Sequence, residues 1–576
     1  MVINMVKRIT GIILINLTIL PLCFSIKAQQ VKLWVVFKDK PKNNFDASVY
    51  FTQKNLERKK TQSLPLYDNY DLPINQNYIN ELNSYCDSIT FVSRWMNAAC
   101  VYCSFQKVDE IKQLSFVNYI EEINSQALIT EYKESINDLH RGEINLLKGQ
   151  MQRMQAGEFK KNKLTGKGVT VAIIDAGFSG YLKNDVLKKL RDNNQIKHTY
   201  DFVRKNNNVD CGATHGTAVL SCIGGQIDSV LFGCAFESDF LLYRTEKAFN
   251  EKFSEEEYWM AAMEEADRQG ADIINTSLGY NERRYFRKDM DGRKSLLSKA
   301  ANIASRKGML VVCSAGNEGD VDWKVICTPA DADSALTVGA INPWTGIQAS
   351  WSSYGPSADK RIKPNVCAYG YVMAAQGSKG IYETMGTSFS CPLIAGFAAC
   401  TRQLNPTITA YQLLHKIEKS ADLFPYYDYA HGYGVPQAKN ILSNKSDSIH
   451  PTFEIIINGD SLRILLKDNN PSQYLLISDY HLSYEDTSYL YTDVHGEKVR
   501  KSTHFKDGIY SGTSLSSLNT NEPGYFYYNI QQKDELYLHE YAVLNVRSRI
   551  IFRTTKTSEP KTYSFYYKGY SRSITF

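Results

Sequence analysis

Three short segments of this chain carry groups that together could break an acyl bond. Asp175 closes the apolar run Val171-Ala-Ile-Ile-Asp175-Ala-Gly177, His215 lies in Thr214-His-Gly-Thr217, and Ser388 lies in Gly386-Thr-Ser-Phe-Ser-Cys-Pro392. A serine hydroxyl is a poor nucleophile at its free pKa. It needs an imidazole to take its proton, and the imidazole needs a carboxylate to fix its tautomer and stabilise the cation that forms. The tetrahedral oxyanion produced by the attack needs donors aimed at its oxygen. Val311-Val-Cys-Ser-Ala-Gly-Asn317-Glu-Gly319 leads an apolar run into an Asn beside glycines. The Asn317 side chain is the candidate donor, with the Ser388 backbone N–H as the second. Each residue alone is commonplace, since an Asp after a strand is usually a cap and a His-Gly or Gly-x-Ser usually a turn. Their joint occurrence in one order, with Asn317 between base and nucleophile, points to chemistry.

The elements around them suit that task. From about residue 165 to 443 short buried strands alternate with helices, which predicts a doubly wound α/β domain with a parallel sheet covered on both faces. Strands are expected at 169–174, 240–243, 273–275, 309–313 and 335–338, and helices at 255–269 and 296–307. Thr409-x-x-Gln412 reads as a capping box opening a helix through Ile417. At the end of a parallel strand Asp175 can present its carboxylate in a partly desolvated crevice. His215 and Ser388 each open a helix-like segment, Gly212, Gly216 and Gly386 admit close backbone approach, and Pro392 reads as a first-turn proline.

At 576 residues the chain is too long for one core. The boundaries expected are a signal peptide at 1–28, an α+β domain at 29–124, a linker and processing region at 125–160, the α/β domain at 161–445 and a β-sandwich-like domain at 446–576. Lys7 and Arg8, the apolar stretch 11–26 and Ala28 form the three parts of a secretory signal with cleavage after Ala28. The chain is therefore expected to be exported, with no membrane span after signal removal. Cys23 follows the bulky Leu22, which argues against a lipid-modified cysteine. In the α+β domain, strands are expected at 31–37, 89–93, 98–102 and 116–120, with helices over 55–60 and 108–114. The last domain is Tyr-rich, and Asn458-Gly459 between two apolar runs predicts a hairpin with a type I′ turn. Its tyrosines read as packing rather than as a glycan-binding face.

A formal net charge of +5 over this length, with no basic run, gives no nucleic-acid track. Twelve cysteines leave eleven after signal removal, so at least one is unpaired within the chain. Cys100-x-x-Cys103 has no second pair at ligand spacing and reads as buried packing. Asp289-Met-Asp291-Gly292 has part of a calcium-loop rhythm but lacks the other ligands and the distal Glu, and reads as a solvated turn.

The order acid, base, nucleophile differs from the chymotrypsin-like order His, Asp, Ser and from the α/β-hydrolase order Ser, acid, His. The chain from about residue 160 to 443 resembles the subtilisin-like serine peptidases, or subtilases, of the exported Bacteroidetes type. Asn275-Thr-Ser-Leu-Gly279 is similar to the family's substrate-lining strand, Trp351-Ser-Ser-Tyr-Gly-Pro356 to its loop after the specificity pocket, and Gly432-Tyr-Gly434 to its terminal Gly-rich turn. The resemblance implies a secreted serine endopeptidase acting on protein or peptide substrates through an acyl-enzyme. It implies that Ser277, Leu278 and Gly279 pair with the substrate backbone and that Ala315 and Gly316 wall the primary pocket. The residues themselves leave the substrate unread: Glu318 would bias the pocket toward basic side chains, but the wall from Asp320 to Ile326 has no template. It also implies that the domain at 29–124 is a propeptide, an intramolecular inhibitor removed by autoprocessing between Asn124 and Gly149. No cofactor is required for such chemistry; the resemblance leaves room for structural calcium and names no ligands. Ala176 stands where many relatives carry Thr or Ser, and Phe389-Ser390-Cys391 replaces the commoner Met-Ala or Met-Ser. An esterase of the α/β-hydrolase class would need Gly-x-Ser-x-Gly and a His after the Ser. An inactive scaffold would not need all four chemical residues.

Overall fold

A computed structural model describes residues 30–41, 45–123, 142–247, 254–281, 284–443, 450–459, 461–467, 489–492, 498–501, 525–533, 535–543, 549–553 and 559–575. The expected signal segment and residues 124–141 of the expected processing stretch lie outside them.

Every residue of the strand Thr170–Asp175 is buried, the signature of a strand covered on both faces. It sits inside a seven-stranded sheet whose order is Val366–Tyr369, Leu336–Ile341, Leu310–Ser314, Ile273–Thr276, Thr170–Asp175, Asp239–Arg244 and Ile196–Asp201, with every neighbouring pair parallel. The five strands expected from sequence are present. The two edge strands were not read: Ile196–Asp201 is polar and half-exposed, as edges commonly are, and Val366–Tyr369 is only four residues long. Helices His215–Gly224 and Thr387–Leu404 pack one face of the sheet, and Ser254–Gln269 and Leu296–Arg306 the other. Successive strands leave Thr170–Asp175 toward opposite edges, so a crevice opens at its carboxyl end. The capping box at Thr409 forms as expected, with Gln412 N donating to Thr409 Oγ1 at 3.2 Å.

The N-terminal domain is a four-stranded antiparallel sheet ordered Ser88–Ser93, Ala98–Ser104, Gln30–Phe37, Val117–Ile123. Its side chains alternate between two cores. Leu33, Val35, Phe37 and Val101 face the domain's own helices, whereas Trp34, Cys100 and Ile123 join Trp259, Met260 and Met263 of the large domain's helix Ser254–Gln269. The same alternation puts Cys100 and Cys103 on opposite faces of one strand, which removes them as a ligand pair. Charged groups cross this interface as well. Lys32 Nζ meets Glu257 at 2.5 Å with both side chains buried, Arg58 pairs with Asp267, and Lys307 meets Asp71 at 2.5 Å.

Part of the stretch expected as linker is built into the large domain. The helix Gly142–Gln152 sets Leu146 and Leu147 against Val186, Phe232 and Met373. Its Gln150 donates to the Phe232 carbonyl at 2.9 Å and accepts from Met373 N at 3.0 Å. Ala156–Lys161 follows as a second helix. The polar sequence concealed both because each anchors through only a few apolar residues.

At the C-terminal end, Phe453–Asn458 and Ser461–Leu466 form the expected hairpin. Asn458 pairs with Ser461, so the turn falls one residue later than the Asn-Gly reading. That sheet, completed by Arg549–Arg553, sends Phe453, Leu462 and Ile464 against Phe526, Tyr528, Phe565 and Tyr567 of a four-stranded sheet, giving the sandwich. The opposite face of the four-stranded sheet places Tyr525, Tyr527 and Tyr566 against Ile347, Leu423 and Tyr426 of the α/β domain. Tyr525 Oη donates to the Thr345 carbonyl and Tyr566 Oη to the Asp422 carbonyl. These tyrosines are packing residues.

Among the described residues eleven cysteines are free thiols, nine of them buried. No helix there is long and apolar enough to cross a membrane, and no group of three or more His, Cys, Asp or Glu side chains converges as metal ligands do. In the Asp289–Gly292 turn, Asp291 Oδ1 accepts from Arg293 N and Lys294 N at 2.8 and 2.9 Å, and Asp289 Oδ2 accepts from Phe286 N at 2.9 Å. Both carboxylates cap the turn instead of facing a common centre.

Candidate active site

Asp175 is the last residue of the central strand and is fully buried. Its carboxylate accepts from Ala176 N at 2.8 Å and faces His215 Nδ1 at 2.9 and 3.0 Å through its two oxygens. A carboxylate on Nδ1 favours the tautomer with its proton there, so Nε2 is left with the lone pair that a general base uses. His215 opens its helix, and its ring is about one-third exposed, packed 5.4 Å from the Phe389 ring. The acid is thus dry and the base sits at the cleft.

Ser388 is the second residue of the helix Thr387–Leu404. Its Oγ donates to the Ser277 carbonyl at 3.2 Å, and Ser277 Oγ donates back to the Ser388 carbonyl at 2.9 Å. The second bond has a cause in the sequence. Pro392 is four residues past Ser388, beyond the first turn where it was expected, so its missing N–H frees the Ser388 carbonyl from the helix ladder. Ser277 occupies that acceptor and ties the substrate-lining segment to the nucleophile.

Asn317 is oriented by Thr387. Its Oδ1 accepts from Thr387 N at 2.9 Å and lies 2.9 Å from Thr387 Oγ1, which also accepts from Gly316 N at 3.2 Å. With Oδ1 committed, the Nδ2 amide is the end that faces the cleft. The position a Cβ would take on Gly386 (φ 140°) is 3.6 Å from Asn317 Nδ2 and 3.7 Å from Ser388 N, so the two donors flank one small space beside the nucleophile. Ser388 N belongs to the first turn, whose N–H groups lack partners within the helix. Thr387 was missed from sequence, although it sits inside the same Gly-Thr-Ser motif; nothing in the spacing shows that it holds the Asn.

The expected substrate-lining residues lie at the carboxyl ends of adjacent strands. Ser277, Leu278 and Gly279 continue Ile273–Thr276, and Ala315 and Gly316 continue Leu310–Ser314, the two strands being paired in parallel. Gly279 is exposed and Gly316 half-buried, while Leu278 and Ala315 turn into the core. The structure therefore brings all nine sequence-predicted residues to one end of the sheet.

Residues 166–441 match the model of the subtilase family, and residues 32–137 match that of the peptidase S8 propeptide domain of Bacteroidota. Among curated proteins the chain is 28% identical to serine protease AprX of Bacillus subtilis (strain 168), over 48% of this chain and 66% of that protein. It is 27% identical to subtilisin Savinase of Lederbergia lenta, over 47% of this chain and 90% of that protein. MycP1 from Mycobacterium smegmatis aligns at a TM-score of 0.42 and 23% identity, over 52% of this chain and 85% of that chain, a likeness too distant to build on.

Proposed function

Since the chain belongs to the subtilase family of serine endopeptidases and carries that family's propeptide domain, we propose that it is an exported zymogen whose chemistry runs through Asp175, His215 and Ser388. The observation that carries the assignment is the Asp175 carboxylate on His215 Nδ1 at the carboxyl end of the central strand, with the imidazole ring 5.4 Å from that of Phe389, the residue after Ser388. His215 Nε2 takes the hydroxyl proton as Ser388 Oγ turns from the Ser277 carbonyl to the scissile carbon. Asp175 stabilises the imidazolium. Asn317 Nδ2 and Ser388 N receive the oxyanion, and collapse expels the amine with the proton from His215. Water then repeats the sequence on the acyl-enzyme.

Protein or peptide chains are the substrates, lying along 277–279 as an added strand. The N-terminal domain is the intramolecular inhibitor, which its packing on Ser254–Gln269 favours. None of these steps requires a cofactor. The test is Ser388→Ala, which removes the nucleophile without adding volume: peptide hydrolysis should vanish with folding unchanged, and a serine-directed phosphonate should label the parent chain at Ser388 alone. Undiminished hydrolysis by the variant would overturn the assignment.

A further inference from the structure

Ser388 enters its helix from a hairpin. Tyr371–Ala375 and Ile381–Met385 pair antiparallel, with Tyr371 opposite Met385 and Ala375 opposite Ile381, and the chain then runs straight into Gly386-Thr-Ser388. Gly386 N donates to the Gly370 carbonyl at 2.9 Å, which closes the root. A two-stranded hairpin has little stability of its own, so its attachments decide where it stands and where it delivers the residues that follow. Along its length Met373 N donates to Gln150 Oε1 at 3.0 Å and Ala375 N to Ser221 Oγ at 2.9 Å, Ser221 being on the helix that His215 opens.

The far end, residues 376–380, lands on the two segments that carry the acid and the base. A Cβ on Gly180 (φ 89°), in the loop after Asp175, would stand 2.2 Å from Gly377 C and from Ser378 N, so only glycine admits the contact. A Cβ on Gly377 would stand 3.2 Å from Cγ2 of Thr214, the residue before His215. Asn184 fastens this landing. It is buried, and its Nδ2 donates to the Gly377 and Gly380 carbonyls, each at 3.0 Å, while its Oδ1 accepts from Val186 N at 2.9 Å. An amide offers two N–H donors and an acceptor on one short planar group. Here both donors go to the hairpin tip, and the acceptor caps the turn Asp185–Leu187.

We propose that Asn184 is a positioning residue: by gripping the hairpin tip it fixes the distance between Ser388, which the hairpin delivers, and His215, against whose segment the tip rests. The proposal rests on the peptidase reading above. Asp175 and His215 already form one unit, through the carboxylate on Nδ1 and through Gly216 N, which donates to the Gly177 carbonyl at 2.9 Å. What remains to be set is the reach of the hydroxyl toward Nε2. Asn184 touches no reacting atom, yet a displacement of roughly 1 Å between nucleophile and base costs about a hundredfold in rate.

Asn184→Asp keeps the size and the acceptor for Val186 N but turns an oxygen toward two carbonyls. Asn184→Ser keeps a capping oxygen and drops both bonds to the tip, and it decides the matter if the Asp chain does not fold. Leu413→Ala, a core truncation in the helix that Thr409 caps, is the control for lost stability alone. Full chains, each matured over resin-bound parent chain, are compared on one peptide. Both Asn184 variants should lose roughly ten- to a hundredfold in kcat, with KM within about twofold of the parent value, and should react correspondingly more slowly with the phosphonate. Leu413→Ala should melt at a lower temperature and keep the parent kcat. Parent kcat in a folded Asn184 variant, a loss confined to KM, or a kcat loss that Leu413→Ala shares overturns the positioning role. No hydrolysis by the parent chain, or hydrolysis that Ser388→Ala does not remove, overturns the peptidase reading instead.

Discussion

In the proposed chemistry Asn317 and Thr387 divide one task between them: the first would supply a donor to the developing oxyanion, and the second, bonded to Asn317 Oδ1, decides which way that donor points. Replacing Asn317 with Ala should lower turnover by about 10²–10³ while KM changes little, because the hydrogen bond strengthens only as charge develops. Thr387→Val keeps the shape and the backbone N–H but removes the hydroxyl beside Asn317 Oδ1. A loss of about tenfold in kcat, with KM near the parent value, is expected from one hydrogen bond of ordinary strength; a change confined to KM would place Thr387 in substrate binding. The contrast between the two residues also marks what the sequence could disclose. Asp175, His215, Asn317 and Ser388 were legible because their chemistry demands those side-chain types. Thr387 was not, since a residue that orients another is defined by a contact across 70 positions of chain.

At the scale of elements, the buried strands could be read because both-face burial leaves an unbroken apolar run, whereas the polar edge strand and the helix Gly142–Gln152 show no such signal. The interface of the N-terminal domain was equally hidden, as its ion pairs join residues far apart in sequence. Lys32 and Glu257 are both buried there, and Thr90 Oγ1 lies 3.1 Å from the same Glu257 oxygen. Removing one partner of a buried pair costs about 3–5 kcal/mol, while replacing both with apolar groups is often neutral. Glu257→Leu should therefore loosen the N-terminal domain and raise activity of the unprocessed chain, and Lys32→Met with Glu257→Leu should restore most of the inhibition, as a double-mutant cycle would report. A double change whose effect is the sum of the two single changes would show that the pair contributes nothing. A second buried lysine gives a pH prediction. Lys363 donates to the Ala335 carbonyl at 2.7 Å, yet burial holds it down at about 8, against 10.5 for a free lysine. Below pH 8 it is protonated both folded and unfolded, and between those two values the unfolded chain binds more protons. Its contribution thus makes stability rise with pH across that window, by an amount on the order of 1–3 kcal/mol. Denaturant melts at pH 7.5 and 10 should show that increment in the parent and lose it in Lys363→Met.

For the whole molecule, the N-terminal domain and the peptidase body meet at a boundary that the structure narrows. The propeptide match ends at residue 137, and Gly142 begins a helix whose Leu146, Leu147 and Gln150 are packed into the peptidase body. A cut inside that helix would require its local unfolding, so in the proposed maturation the processing bond is expected before it. From Asn124 to the helix the basic residues other than His140 are Lys133 and Arg141, and Arg141 immediately precedes Gly142. Arg141–Gly142 is the last bond before that helix, and it is the bond expected to be cut in the proposed maturation. Expression without residues 1–28 should then yield two fragments, the larger with Gly142 at its N-terminus, and the Ser388→Ala chain should stay intact. Equal processing of the parent and Ser388→Ala chains would assign the cut to another protease. A self-made N-terminus beyond Gly142 would show instead that the helix opens before the cut, so that the packing of Leu146 and Leu147 into the large domain follows maturation.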